Sequence, residues 1–234
     1  MTIELRGLEH HYDTQILHGL DLKLEGYKSV ALIGSSGSGK STLMRIMAGL
    51  ENPTGGSVCI NEQCVNHTEY RESVGFVFQN HNLFPHLTLL KNITLVLEKT
   101  RGQSKEEARE NAYKYLKLLQ LFDQKDKLPR NVSGGQAQRG SIARALSIDP
   151  EVIFLDEPTA SLDPILTYEV LSAIKELRTL GKAFIFSSHV LSFVQDFAQY
   201  VVFLHQGRIV EHGPPSILKA PTTPELQEFM IRVP

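Results

Sequence analysis

The sequence predicts an α/β fold whose sheet is largely parallel. Short β-branched runs alternate with longer segments of helical period, which is the pattern of parallel strands connected by helices. The early strands are joined by short turns such as Gly26-Tyr27-Lys28 and are therefore expected to be antiparallel. Strands are expected near Thr2–Arg6, Gly19–Glu25, Ser29–Ile33, Gly56–Ile60, Ser73–Phe78, Val152–Leu155, Ala183–Ser187, Tyr200–Leu204 and Arg208–Glu211.

A helical subdomain is expected to interrupt this α/β core. The stretch from Pro85 to Pro150 contains helical segments and no convincing strand, and Ser104-Lys105-Glu106-Glu107 has the form of a capping box. We therefore expect one domain over 1–234, in which 1–84 and 151–234 form the core with its antiparallel part and 85–150 form the helical subdomain.

Composition excludes several classes of protein. The 234 residues carry 24 Lys+Arg against 26 Asp+Glu, a formal net charge of −2, and this balance argues against a nucleic-acid binder. There is no apolar run of eighteen residues and no secretory signal at the start, so we expect a cytoplasmic chain. Cys59 and Cys64 could pair or bind a metal, but we expect them to be reduced and without a role.

One glycine-rich segment matches the spacing G-x-x-x-x-G-K-[ST] of a phosphate-binding loop. It follows the apolar run Ser29–Ile33 and precedes the helical run Thr42–Met47, which is the context that such a loop requires. Its backbone N–H groups converge on phosphate oxygens, its lysine reaches the β and γ phosphates, and its hydroxyl binds Mg²⁺. A flexible linker is the alternative interpretation. The segment comprises Gly34, Ser35, Ser36, Gly37, Ser38, Gly39, Lys40, Ser41 and Thr42.

Two further segments carry residues suited to nucleotide chemistry. The apolar run Val152–Leu155 ends in Asp156 and Glu157, and a parallel strand delivers such acids to the sheet edge where ligands bind. Asp156 is then the natural Mg²⁺ partner of Ser41, and Glu157 is placed to act on the attacking water as a general base. The segment Ser133–Gln136 precedes a helical run, which predicts an N-cap and a second anion-binding helix start.

Together these segments resemble the ATP-binding-cassette (ABC) ATPases. In that family's order, Walker A lies at 34–42, the signature at 133–136 and Walker B at 152–157. Tyr12 resembles the aromatic residue that stacks on adenine, Gln79 the Q-loop glutamine, Ser161-Leu162-Asp163 the D-loop and His189 the switch histidine. The resemblance implies a P-loop NTPase (RecA-like) core and an active ATPase that uses ATP and Mg²⁺. Gly140 departs from the family pattern, which commonly has valine at this position, and it is unexpected because a glycine inside a helix costs about 1 kcal/mol relative to alanine.

The resemblance also assigns roles to individual residues. In this family the signature of one protomer covers the γ-phosphate held by the Walker A motif of the other, so a chain with one of each should work as a homodimer or with a second ABC subunit. The catalytic residues implied are Glu157, His189, Gln79 and Lys40. The Mg²⁺ ligands implied are Ser41, Gln79 and Asp156. The nucleotide contacts implied are Tyr12, residues 34–42, Gln79, Ser133, Gly134, Gly135, Gln136 and Asp163.

The segment after Gln79 points to transport. By resemblance, Gln79 to Thr88 form the groove that receives a helix of an integral membrane permease, with Leu83, Phe84 and Pro85 in its apolar patch. The segment is similar to the corresponding segment in the ATPases of polar amino acid importers. By resemblance, such an ATPase has a solute-binding protein as an indirect partner. An ordinary loop followed by a Thr88 helix cap is the alternative interpretation.

Three other functions are alternatives to amino acid import. A cassette of an exporter or lipoprotein-release transporter would have a similar core and differ mainly in the groove and the permease. A non-transport ABC ATPase acting on DNA or the ribosome usually has a coiled coil, a second cassette or basic surfaces. A simple P-loop kinase would leave Ser133–Gln136 and His189 unexplained.

Overall fold

The computed structural model of the chain describes residues 1–64, 68–160 and 162–232. They form two compact units, residues 1–71 with 183–234 and residues 72–182. The strands are β1 (Thr2–His11), β2 (Gln15–Glu25), β3 (Ser29–Ile33), β4 (Gly55–Ile60), β5 (Gln63–Cys64), β6 (Val74–Val77), β7 (Val152–Leu155), β8 (Ala183–Ser187), β9 (Tyr200–His205) and β10 (Arg208–Gly213). The α-helices are α1 (Lys40–Met47), α2 (Thr68–Glu72), α3 (Leu89–Thr100), α4 (Lys105–Leu118), α5 (Gly134–Ser147), α6 (Pro164–Glu176), α7 (Leu191–Phe197) and α8 (Pro224–Arg232).

The first unit contains an antiparallel sheet and a group of mainly parallel strands. The antiparallel sheet has the order β2-β1-β4-β5, and in the other group β3 pairs in parallel with β8 and β9, while β10 is antiparallel to β9. All five residues of β3 are buried, as expected for a strand covered on both faces. Because β3 is buried, its carboxyl end, where the phosphate-binding loop begins, is held rigidly by its neighbours.

One predicted connection was wrong. The turn Gly26-Tyr27-Lys28 does not join two antiparallel neighbours, because β2 belongs to the antiparallel sheet and β3 to the parallel group. The antiparallel partner of β2 is β1, which continues past Arg6 to His11 through irregularities in register. Its second half alternates between buried and exposed residues and has few β-branched side chains, so composition gave a weak strand signal there.

The prediction of reduced, unpaired cysteines was also wrong. Cys59 and Cys64 lie opposite each other on β4 and β5 and form a disulfide with a Cα–Cα distance of 4.1 Å. The hairpin turns on Asn61 and Glu62, both of which have positive φ. The two-residue strand β5 was too short to be predicted from sequence periodicity, and without it the pairing geometry could not be seen.

The second unit combines a parallel strand pair with helices. Strands β6 and β7 pair in parallel with Val77 opposite Leu155, and α5 packs on α3, α4 and α6. Residues 85–150, all of which the structure describes, form α3, α4 and α5 together with 3-10 turns at Phe122–Gln124 and Pro129–Asn131. The proposed subdomain boundaries at 84/85 and 150/151 both fall inside this unit and remain a prediction.

The helix starts follow the sequence signals. Ser104 forms a complete capping box with Glu107 at the start of α4, and the Thr88 side chain accepts a hydrogen bond from the Lys91 N–H at the start of α3. Capping groups of this kind satisfy N–H groups that the first turn of a helix leaves without partners. Within the described ranges, no helix combines the length and the apolar character needed to cross a bilayer.

Candidate nucleotide site

The phosphate-binding loop leaves the buried end of β3 and enters α1, as predicted. Its first residue, Gly34, has φ +147°, and a Cβ at this position would lie 2.2 Å from the backbone oxygen of Leu204 in β9. No other residue fits there without moving the backbone of β9. A hydrogen bond from the Gly207 N–H to the Ser38 oxygen, 3.2 Å long, fixes the middle of the loop to the turn between β9 and β10.

Lys40 is folded into this loop. Its side chain is buried, and Nζ donates hydrogen bonds to the backbone oxygens of Gly34 at 2.8 Å and of Ser35 at 3.0 Å. The ammonium group therefore lies at the concave backbone of the loop, beside the first turn of α1, where the helix dipole also favours an anion. This arrangement suits the binding of a phosphate group.

Tyr12 lies beside the phosphate-binding loop in the first unit. It follows β1 in the turn to β2, it is 49% exposed, and its hydroxyl is within hydrogen-bonding reach of the side chains of Thr42 and Glu51. Partial burial and the hydrogen bond to Glu51 raise the pKa of this hydroxyl. The structure thus brings the proposed adenine contact next to the last residue of the Walker A segment.

His189 is also brought to this loop. It follows β8 and, together with Ser35 and Ser36, lines a cavity of about 250 Å³. The remaining wall of the cavity comes from His205 and from four residues of α8, namely Glu225, Glu228, Phe229 and Arg232.

The contribution of α8 to this cavity was not predicted from the sequence. Its start is held by Glu211, whose carboxylate accepts hydrogen bonds from the Thr222 N–H, the Thr223 N–H and the Thr223 hydroxyl at 2.7–3.2 Å. A proline at the first helical position after two threonines, at Pro224, was the available signal.

In the second unit, Gln79, Asp156 and Glu157 lie at the same edge of a parallel strand pair. Asp156 is buried directly after β7, and its N–H donates to the Val77 oxygen at the end of β6. Glu157 has φ +43°, a conformation that is uncommon for residues other than glycine and that often occurs at functional sites. Gln79 is exposed two residues beyond β6. The edge therefore presents two carboxylates and an amide.

The signature segment caps α5. The Ser133 hydroxyl accepts from the Gln136 N–H, and the Gln136 side chain accepts from the Ser133 N–H, so the capping box is complete. The two glycines allow close packing, since a Cβ on Gly134 would lie 3.0 Å from a methyl group of Leu162 and one on Gly135 would lie 3.2 Å from Leu166. The signature therefore packs directly on the D-loop segment and the start of α6.

Asp163 has a structural role that the sequence analysis did not assign. Its carboxylate caps α6 by accepting from the N–H groups of Ile165 and Leu166, each at 2.9 Å. Ser161, the first residue of the predicted D-loop, lies outside the described residues. The contact of Asp163 with a second protomer remains a prediction.

The predicted permease groove, Gln79 to Thr88, is held in shape by two helices of the same unit. From α3, the buried Asn92 side chain bonds to the backbone of Phe84, Leu87 and Thr88 at 2.7–3.2 Å. From α5, Arg144 donates to the Asn82 oxygen at 2.9 Å and lies over the Phe84 ring at 5.7 Å.

The packing around Gly140 of α5 explains why this position departs from the family pattern. A Cβ at this position would lie 3.2 Å from a methyl group of Leu89 and 3.5 Å from one of Leu83, so the small residue lets the groove segment approach the helix closely. Four residues before Arg144, it lies in the same helix that begins with the signature. The roles of Asn92 and Arg144 were missed because an amide and a guanidinium give no spacing signal.

A family model described as "ABC transporter" matches residues 17–160. The chain belongs to the ABC transporter family. As an ABC cassette it has the P-loop NTPase fold that the sequence predicted, it binds ATP and it is an ATPase.

Curated relatives of this ABC cassette match over nearly its whole length. The L-cystine transport system ATP-binding protein TcyN of Escherichia coli (strain K12) is 41% identical, covering 97% of this chain and 96% of its own length. The glutamine transport ATP-binding protein GlnQ of the same organism is 39% identical over 99% of both chains. The histidine/lysine/arginine/ornithine transport ATP-binding protein HisP, also from E. coli, is 39% identical over 92% of this chain and 91% of its own.

Solved structures of other cassettes share the fold. The dimeric post-hydrolysis state of the ATP-binding cassette MJ0796 bound to ADP and Pi superposes with a TM-score of 0.82 at 32% identity, covering 91% of this chain and 98% of that one. A second dimeric structure of MJ0796, described as a bacterial ABC transporter cassette, gives the same TM-score at 33% identity and the same coverage.

Proposed function

We propose that this ABC cassette hydrolyses ATP to power the uptake of a polar amino acid through a separate membrane permease. The observation that carries the proposal is the near-full-length identity to ATP-binding subunits of cystine, glutamine and histidine transport systems. The cassette works at the cytoplasmic face of the cell membrane, and the groove from Gln79 to Thr88 receives the permease. A solute-binding protein delivers the amino acid to that permease.

The phosphate-binding loop and Tyr12 bind the nucleotide in this proposal. The backbone N–H groups of 34–42 bind the phosphates, Lys40 exchanges its contacts with the Gly34 and Ser35 oxygens for the β and γ phosphates, and Tyr12 stacks on the base. The exchange favours the nucleotide because the phosphate oxygens carry charge opposite to that of the ammonium group, whereas the carbonyl oxygens of the loop are neutral.

The donor set fits Mg²⁺. Ser41 offers a hydroxyl oxygen, Asp156 a carboxylate and Gln79 an amide oxygen, and Mg²⁺ prefers oxygen ligands of this kind together with substrate phosphates. When bound, Mg²⁺ supplies charge neutralisation at the β and γ phosphates. Glu157 accepts a proton from the water that attacks the γ-phosphorus as the bond to the β,γ-bridging oxygen breaks, and His189 holds the transferred phosphoryl group.

The signature completes the site in trans. Ser133, Gly134, Gly135 and Gln136 begin α5 with N–H groups at a positive helix end, which suits the γ-phosphate of a nucleotide held by a second protomer. A homodimer, or a pair with a second ABC subunit, follows from this division of the site. The dimeric cassette structures of the relative MJ0796 support such an arrangement.

Removal of the general base tests the ATPase and the dimer together. We expect Glu157→Gln to bind ATP, to lose turnover and to elute as a dimer on size exclusion in ATP and Mg²⁺. The control is Glu157→Gln combined with Lys40→Ala, which should stay monomeric because the phosphates are not held. A monomer in both samples would refute the two-protomer site.

Uptake in cells tests the solute class. In a strain that lacks the gene, uptake of labelled cystine, glutamine, histidine or arginine should fall for at least one of these amino acids. Wild-type protein should restore it, whereas Glu157→Gln should not. Unchanged uptake of all four would contradict amino acid import and would leave the ATPase assignment standing.

A further inference from the structure

The side chains of His10 and Glu51 both contact that of Tyr12. The His10 ring meets the Tyr12 ring edge-to-face, with 4.7 Å between centroids and 80° between planes. The Nε2 atom of His10 lies 3.2 Å from the Glu51 carboxylate, and Glu51 in turn reaches the Tyr12 hydroxyl. Neither His10 nor Glu51 was predicted from the sequence to have a role in nucleotide binding.

The three residues differ sharply in exposure. His10 is 5% exposed and the Glu51 side chain 23%, while Tyr12 is 49% exposed. The two polar groups are therefore less exposed than the aromatic ring that they contact. A buried imidazole packed edge-to-face against that ring restricts its orientation, since edge-to-face pairs have a preferred geometry.

The backbone makes this support rigid. Tyr12 lies in the tight turn closed by a hydrogen bond from the Tyr12 N–H to the Thr14 oxygen. Glu51 lies just beyond α1, where the Leu50 N–H bonds to the Arg45 oxygen, and the Thr54 N–H bonds to the Glu9 oxygen of β1. The segment that carries Glu51 is thus attached to α1 at one end and to β1 at the other.

We propose that His10 and Glu51 are positioning residues that hold the Tyr12 ring as a platform for the nucleobase. The proposal rests on the proposed function, in which Tyr12 stacks on the base of ATP. Stacking on a ring that is already fixed avoids the loss of side-chain freedom that would otherwise accompany binding. His10 fixes the plane of the ring through its edge, and Glu51 fixes the direction of the hydroxyl.

The energetic effect should depend on the base and not on the phosphates. The Tyr12 hydroxyl also reaches Thr42, so the platform is connected to the phosphate-binding loop, but about half of the Tyr12 surface, 49%, is exposed. Base–aromatic stacking is sensitive to the position of the ring, whereas phosphate binding by backbone N–H groups is not. The two contributions can be separated with a ligand that has phosphates and no base.

Calorimetric titration of the purified cassette with ATP and with tripolyphosphate, both with Mg²⁺, tests the proposal. We expect Tyr12→Ala to weaken ATP binding by about tenfold or more and to leave tripolyphosphate binding unchanged. Glu51→Ala and His10→Ala should weaken ATP binding by about three- to tenfold, again without an effect on tripolyphosphate. His10→Phe retains a ring edge against Tyr12 and should bind ATP more tightly than His10→Ala.

Two further variants separate positioning from general destabilisation. Glu4→Ala, which removes a carboxylate that pairs with Arg6 on the same strand, should not change the ATP-to-tripolyphosphate ratio. In the Tyr12→Phe background, Glu51→Ala should have less effect than in wild type, because the hydroxyl that Glu51 holds is absent. Additive effects in this cycle would overturn the role of Glu51. If His10→Ala does not fold, His10→Phe is compared with wild type and Tyr12→Ala: a smaller loss of ATP affinity than in Tyr12→Ala is expected, and an equal loss would overturn the role of the ring contact.

The outcomes distinguish the inference from its premise. If Tyr12→Ala weakens ATP binding but the His10 and Glu51 variants leave the ratio unchanged, the positioning role is wrong and the proposed function stands. If Tyr12→Ala has no effect on ATP binding, the base platform itself is wrong. If wild-type protein binds neither ligand, the proposed function fails.

Discussion

Asn92 gives the sharpest test of how the groove segment is built. Its side chain is fully buried, and its amide bonds only to the backbone of the groove segment among the residues that the structure describes. Oδ1 accepts from the Phe84 N–H at 2.7 Å, and the two N–H groups of Nδ2 are shared among the Phe84, Leu87 and Thr88 oxygens, at 3.2, 3.1 and 3.0 Å. Asn92→Asp keeps the shape of this side chain and the bond to the Phe84 N–H while removing all three donations.

The magnitude follows from those contacts. The loss of two N–H donors costs about 1 kcal/mol each, and a buried carboxylate facing three carbonyl oxygens adds a charge penalty of roughly a further 1–3 kcal/mol. We expect the free energy of unfolding to fall by about 3–5 kcal/mol at pH 8. Burial and the facing carbonyl groups raise the pKa of the new carboxyl group in the folded state.

The sign of the pH dependence is then fixed. Because the folded pKa is raised, the destabilisation is smallest below the unfolded pKa of about 4 and complete above the raised folded pKa. The protonated carboxyl group can donate one hydrogen bond to a carbonyl oxygen, so the difference from wild type should shrink between pH 8 and pH 5. Urea unfolding of both proteins at these two pH values measures it.

A matched substitution controls for the chemical change itself. Asn111 on α4 has one long hydrogen bond, from Nδ2 to Gln103 at 3.4 Å, so Asn111→Asp should change stability by no more than about 0.5 kcal/mol. Hydrogen exchange should also speed up at the Phe84–Thr88 amides in Asn92→Asp alone. A loss below about 1 kcal/mol, or one independent of pH, would refute the assigned role of Asn92.

Three further substitutions test other parts of the molecule. Lys40→Ala removes the cation from the phosphate-binding loop, so titration should show ATP affinity reduced by about tenfold or more; unchanged affinity would contradict the phosphate assignment. Phe84→Asp puts a charge into the apolar part of the groove while leaving Arg144 a partner. ATP hydrolysis by the purified cassette should therefore persist, whereas cellular uptake should be lost. Normal uptake would place the permease contact elsewhere. Burial raises the pKa of Glu211, but hydrogen bonds from Thr223 and Thr222 outweigh it and hold that pKa below its ordinary value. Glu211→Gln should therefore lower stability by about 1–3 kcal/mol at pH 7, and the difference should vanish in acid as wild-type Glu211 becomes protonated; a constant difference would refute the charge-based account.

Features set by local chemistry could be predicted from the sequence. The buried strand β3, the phosphate-binding loop after it and the capping groups at Ser104 and Ser133 each depend on a few neighbouring residues. Spacing is enough to find such features because the physical interaction occurs within one or two turns of the chain.

Features that depend on how a segment folds in three dimensions could not be predicted in this way. The pairing of Cys59 with Cys64 needed a strand of two residues, and the role of Asn92 needed the fold of a segment four to eight residues away. The cluster of His10, Tyr12 and Glu51 joins residues on two sides of the phosphate-binding loop. In each case the residue type alone does not indicate the role, which depends on the position of the residue in three dimensions.

The single helix α5 has a mechanical consequence. Its start is packed on Leu162 and Leu166, and its later residues, Gly140 and Arg144, hold the groove segment. From Ser133 to Arg144 the rise is about 16 Å, at about 1.5 Å per residue, and the helix contains no proline. One continuous helix therefore carries both contacts, so a movement of α5 as a body moves the signature and the support of the groove segment together.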